Sequence, residues 1–146
     1  MGSTMRLKTF ACAAAAVSLF AAGAANAATQ HFMATLKGSD EVPANDSAGT
    51  GMVMATLDTD AKTLSYSVEY SGLTGPATMA HFHGPADPGM NAPPVIAISN
   101  PTSPSSGSAT LTDAQITDLQ AGKWYFNVHT AAHKGGEIRG QVLPEK

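Results

Sequence analysis

Leu64-Ser65-Tyr66-Ser67-Val68-Glu69-Tyr70 alternates apolar and polar side chains without a break. A period of two marks a strand with one buried face, because successive side chains of an extended chain point to opposite sides. The period recurs on either side of this stretch. Upstream, Phe32, Ala34 and Leu36 alternate with Thr35 and Lys37, and Val53, Ala55 and Leu57 form a second run. Downstream come Ala80 and Phe82, then Val95-Ile96-Ala97-Ile98, then Ala109-Thr110-Leu111. Trp124, Phe126 and Val128 follow, and last Ile138, Gly140 and Val142. Short strands parted by Gly, Pro, Asp and Asn turns predict an all-β domain, a sandwich or barrel.

One segment departs from this period. Thr112-Asp113-Ala114-Gln115 fits a capping box, Ile116 and Leu119 share a face, and Gly122 is placed to end a helix. A helix of about two turns is therefore expected near residues 113–120. Two stretches read as loops: Gly84 to Pro94, rich in Pro and Gly, and the Ser/Pro-rich Asn100 to Gly107.

The amino-terminal stretch has a different composition. Arg6 and Lys8 precede an apolar run from Phe10 to Ala22, and Ala25-Asn26-Ala27 has the small-x-small pattern cut by a signal peptidase. Residues 1–27 are expected to be a cleavable signal peptide, with residues 1–4 as an extension before Met5. The apolar run falls short of the roughly 20 residues a membrane span needs. The working part is then a single domain, residues 28–146, placed in the periplasm or secreted. Cys12, the only cysteine, lies inside the signal. The mature chain thus has no thiol for catalysis, a thiolate metal site or a disulfide, and its core alone must hold it together. It keeps five Lys and Arg139 against eleven acidic residues, a formal charge of 6 − 11 = −5. Without a basic cluster, nucleic acid is excluded as a partner. No further segment reads as a membrane span.

Four of the five histidines form two close pairs, His81-Phe82-His83 and His129 with His133. On a strand, residues two apart share a face at roughly 6.5–7 Å. His81, His83 and Met79 therefore share the face opposite Ala80 and Phe82, and His129 joins Tyr125 and Asn127 opposite Phe126 and Val128. A single histidine in such a place is most simply a surface or hydrogen-bonded residue. Two pairs on the outward side of two strands instead suit a metal ion, copper or zinc, bound by His81, His83, His129 and His133. Met79 adds a thioether that favours Cu(I). His31 would be the fourth residue after cleavage, one position late for an amino-terminal copper clamp; trimming of Ala28 would create one. Glu137 and Arg139 read either as a surface ion pair or as a carboxylate orienting a ligating imidazole. Asp87 and Asn91 are open in the same way, and Trp124 and Tyr125 read as core or rim aromatics. There is no Gly-x-Ser-x-Gly elbow, phosphate-binding Gly loop or His-Glu-x-x-His helix, so nothing in the sequence demands an enzyme.

The order of motifs resembles the CHRD domain family, a module named for the animal protein chordin and found in exported bacterial proteins. The resemblance rests on Leu36-Lys37-Gly38-Ser39-Asp40-Glu41-Val42-Pro43, Tyr70-Ser71-Gly72-Leu73 and Ala80-His81-Phe82-His83-Gly84-Pro85-Ala86. Its most specific block joins Tyr125-Phe126-Asn127-Val128-His129-Thr130 to Gly135-Gly136-Glu137-Ile138-Arg139-Gly140-Gln141. It implies a Greek-key or immunoglobulin-like β-sandwich in a single-domain, exported bacterial member. It transfers no catalytic residue, and chordin's growth-factor antagonism would carry over by fold analogy alone. A looser likeness to copper–zinc superoxide dismutase rests on a His-x-His strand and on Gly-Gly and Gly-x-Arg-Gly-like turns, but the cysteine pair is missing and no bridging histidine is identifiable. The functional expectation is an exported metal-binding protein, for copper before zinc, acting in binding, storage or delivery. The alternatives are a metal-free interaction module with an envelope or extracellular protein partner, and a metal-dependent oxidoreductase of superoxide dismutase type.

Overall fold

The computed structural model describes residues 28–146 and, apart from these, Gly2. The expected signal peptide therefore lies outside the described residues. Among the described residues eight strands form: β1 (Thr29–Lys37), β2 (Thr50–Asp58), β3 (Thr63–Ser71), β4 (Ala77–His83), β5 (Pro94–Ala97), β6 (Ser105–Thr110), β7 (Trp124–Thr130) and β8 (Ile138–Pro144). They make one antiparallel sheet in the order β5-β4-β7-β8-β1-β2-β3-β6. The pairings β4–β7 and β3–β6 join strands that are not consecutive, as Greek-key crossovers do.

The sheet curls until its two halves face each other. Tyr66 on β3 meets Phe82 on β4 edge to face, at 5.3 Å between ring centres, although four strands separate them in the sheet order. Between the halves lie Phe32, Leu36, Val53, Leu57, Leu64, Val68, Phe82, Trp124, Phe126, Val128, Ile138 and Val142, all buried. These are the apolar members of the alternating runs, so period two decides which face each strand buries. The result is an all-β, sandwich-like fold.

The one α-helix among the described residues, α1 (Asp113–Gln120), begins with the expected capping box: Thr112 Oγ1 accepts from the Gln115 amide, and Gln115 Oε1 accepts from the Thr112 amide. Gly122, at φ +71°, takes the left-handed turn that ends it. Leu119 is its buried residue.

The Asn100–Gly107 stretch is not all loop. β6 begins at Ser105, and Gly107 pairs with Tyr66. A Cβ at Gly107 would fall 2.4 Å from the Tyr66 hydroxyl, so the glycine permits the pairing under that ring. Serine and glycine carry no periodic apolar signal, which is why the first part of β6 is invisible to patterning, while Ala109-Thr110 marks its end. A single 3-10 turn, Gly38–Asp40, follows β1 and was also not expected.

Candidate metal centre

The β4–β7 register decides which side chains meet. Met79 pairs with His129, His81 with Asn127 and His83 with Tyr125. Cross-strand partners share a face, so Met79, His81, His83, Tyr125, Asn127 and His129 all stand on the side away from the core. His81 and His129 are diagonal neighbours there. Their rings cross nearly at right angles, and His81 Nδ1 lies 3.3 Å from His129 Nε2. One ring nitrogen each from His81, His83 and His129 lies within 4.8 Å of the others.

These distances suit a metal ion. Two imidazole nitrogens bound at 2.0–2.1 Å and subtending a tetrahedral angle stand about 3.3–3.4 Å apart. The His81–His129 pair already has that spacing. The protons are arranged to match. His129 Nδ1 lies 2.8 Å from the Lys134 carbonyl, which can only accept, so the proton sits on Nδ1 and the Nε2 lone pair faces His81. His83 Nδ1 likewise donates to the Ala92 carbonyl at 2.9 Å. Its Nε2 lies 2.9 Å from Asn127 Oδ1, a contact that ion binding at Nε2 would have to replace. Backbone carbonyls thus supply the outer hydrogen bonds that commonly fix the tautomer of a ligating histidine. Burial lowers the pKa of His81, with the neighbouring His129 and His83 adding to it. Burial also lowers that of His83, outweighing its two hydrogen bonds.

The face is not open to solvent, as strand alternation alone would have it. His83 and His129 are buried, and His81 is the partly exposed member. The loop from Gly84 to Pro93 folds over β4, β7 and β8 and shields them. Tyr125 stacks flat on His83, with planes 2° apart, and the Arg139 guanidinium lies 3.5 Å from the centre of the Tyr125 ring. Arg139 also donates to Asn91 Oδ1 and the Met90 carbonyl, while Tyr125 bonds Ala92. Trp124, in contrast, is fully in the core.

Neither surface pairing nor histidine orientation describes Glu137 and Arg139. Both are buried, and they do not pair with each other. Glu137 accepts from Ser47 Oγ and Thr130 Oγ1, each at 2.6 Å, and from the Thr74 amide and hydroxyl, each at 2.8 Å. Burial pushes its carboxyl up, but these four donors prevail and hold the pKa at about 2. The residue is a staple joining four segments rather than a support for an imidazole.

The remaining predicted residues lie apart from the three imidazoles. His133 sits in the turn after β7, where its carbonyl accepts from Thr130 and Gly136, and its ring is not in the group. Met79 stands opposite His129 at the exposed edge of the face. His31 lies within β1, its carbonyl bonded to the Glu145 amide and its ring beside Thr56. Asp87 pairs with Lys123. Asn91 bridges Arg139 and the Val42 carbonyl.

Glu41 was not singled out from the sequence. It is buried, and its Oε1 has no hydrogen-bond partner among the described residues. Burial raises its pKa to about 7; the charge of Arg139, the nearby Asn127 amide and the Val42 backbone offset only part of that cost. Gly136 makes room for it: at φ +127°, a Cβ there would fall 2.2 Å from Glu41 Oε1. The Gly-Gly-Glu-Ile-Arg block is thus a polar foundation beneath the histidine face.

Together these features define a class: an antiparallel β domain, cysteine-free in its described part, with three convergent imidazoles half-buried on one outer face. The chain belongs to the CHRD domain family, whose profile matches residues 32–142. No curated protein and no solved structure matches it.

Proposed function

We propose that this CHRD domain is an exported metal-binding protein, for copper before zinc, that holds its ion between His81, His83 and His129 for binding, storage or delivery. The observation that carries the reading is the 3.3 Å separation of His81 Nδ1 and His129 Nε2, the spacing of two ligands on one tetrahedral ion. His83 would move inward by about 1 Å to join them, since its nitrogen now lies within 4.8 Å of the other two. A thiol-free set of imidazoles suits Cu(II), Cu(I) or Zn(II), and Met79 beside His129 biases it toward copper. The partly exposed His81 gives an ion a way in and out, as storage or delivery requires. Export rests on the signal-like residues 1–27.

Native mass spectrometry of the purified protein with one equivalent of Cu(I), Cu(II) or Zn(II) tests this. Retention of one ion, lost in the His81→Ala/His129→Ala double variant, is the expected result. Failure to retain any ion, or equal retention by the double variant, overturns it. Tighter retention of Zn(II) than of either copper ion would leave the site standing and reassign its metal.

A further inference from the structure

All five methionines among the described residues, Met33, Met52, Met54, Met79 and Met90, are exposed, at 40 to 60 %. The leucines, valines, isoleucines and phenylalanines behave oppositely and are mostly buried; Leu143 is the other large apolar side chain left out. Methionine ordinarily belongs with these residues in the interior. Its systematic placement in water leaves hydrophobic packing as no explanation and points to the thioether itself.

Three of the five converge. Met33 on β1 pairs directly with Met54 on β2, and Met52 lies two residues from Met54 on the same outward face. Directly opposed Cβ atoms stand about 4.5–5.5 Å apart and diagonal ones about 7–8 Å, within reach of flexible thioether side chains. Leu143 of β8 opposes Met33 on its other side; the remaining cross-strand neighbours are small or acidic: Thr35 opposes Met52 on one side, Ser67 opposes Met54, and Glu69 opposes Met52 on the other. No lysine or arginine intervenes at these positions, and Glu69 supplies a negative charge.

We infer that the outer face of β1–β2 is a second metal site, in which the Met33, Met52 and Met54 sulfurs bind a soft monovalent cation, Cu(I). Three thioethers without a thiolate select Cu(I) over Cu(II) and Zn(II). The imidazoles on β7 and β4 lie two to four strands away in the sheet order, about 10–19 Å across the sheet, too far for one ion to join the two groups. The thioether site does not depend on the histidine reading.

The test is an NMR titration of purified protein carrying ¹³C-labelled methionine methyl groups, with Ag(I) as a redox-inert stand-in for Cu(I). The Met33, Met52 and Met54 methyl signals are expected to shift together and saturate at one equivalent. The shifts should persist in the His81→Ala/His129→Ala variant and be absent with Zn(II). Met33→Leu/Met54→Leu, an exposed and volume-conserving change, should abolish the saturable shift with the protein still folded. The inference is overturned if these three methyls do not move. It is equally overturned if Met90, which stands at neither site, moves in step with them, which would mean generic thioether binding. Loss of the histidine site alone would appear as Zn(II) failing to perturb the imidazole signals, a result separate from either methyl outcome.

Discussion

The Arg139 guanidinium carbon lies 3.5 Å from the centre of the Tyr125 ring, and Tyr125 in turn stacks on His83. This column runs across β8, β7 and β4, and the same guanidinium holds the covering loop through Asn91 and Met90. A lysine keeps the charge but has neither the planar group to stack nor the fork to reach two acceptors. Arg139→Lys should therefore destabilise the fold by about 1–2 kcal/mol in chemical denaturation. Amide exchange should quicken most in residues 84–93. Unchanged protection of that loop would mean that Arg139 does not secure it.

The alternating runs carried most of the fold. Phe32 to Leu36, Leu64 to Tyr70 and Trp124 to Val128 each announce a strand and its buried face, and Thr112-Asp113-Ala114-Gln115 announces the helix start. The same-face placement of His81, His83 and His129 follows from period two alone. What patterning does not carry is the loop folded over that face. Alternation says which side chains point away from the core, not whether a later segment covers them. Glu137 and Arg139 therefore read as a surface pair or a support for an imidazole, and Glu41 drew no reading, although pairing and loop closure bury all three. His133 failed for a related reason: past the end of β7 the strand period no longer governs where a ring points.

Glu137 gathers four donors from three other parts of the chain, and its pKa is held at about 2 against an ordinary 4.5. Between those values the unfolded chain takes up the proton first. Its stabilisation is thus complete above pH 4.5 and fades as pH falls toward 2. The amount lost is on the order of 2 kcal/mol, allowing for solvent screening. Glu137→Gln should cost at least as much at neutral pH, because its NH₂ would face the Thr74 amide donor. The gap between variant and parent should narrow in denaturation curves taken toward pH 2. A gap that stays constant with pH would show that the carboxylate's charge contributes nothing.

Glu41 has the opposite sign. Its pKa rises to about 7, so between pH 4.5 and 7 the folded protein holds a proton that the unfolded chain releases. Stability from this group is full below pH 4.5 and declines as pH rises through 7. Glu41→Gln cannot ionise and should be more stable than the parent by on the order of 2 kcal/mol at pH 8, with little difference at pH 4. Urea midpoints at the two pH values check this. A variant less stable than the parent at pH 8 would mean that the ionised carboxylate has a partner after all, Arg139 being the nearest cation.

The histidine group makes a prediction about heat as well as about binding. A ligand that binds the folded state alone stabilises it by RT ln(1 + [L]/Kd), about 2.7 kcal/mol at a free concentration one hundred times Kd. Added Cu(II) or Zn(II) should therefore raise the melting temperature, and a chelator should return it to the metal-free value. His81→Ala should remove most of the shift, because its Nδ1 is one of the two nitrogens already spaced for the ion. His133→Ala should leave the shift intact, since that ring stands outside the group. Were His133→Ala to abolish the shift while His81→Ala spared it, the ion would sit in the turn after β7. The convergence of β4 and β7 would then be hydrogen bonding alone.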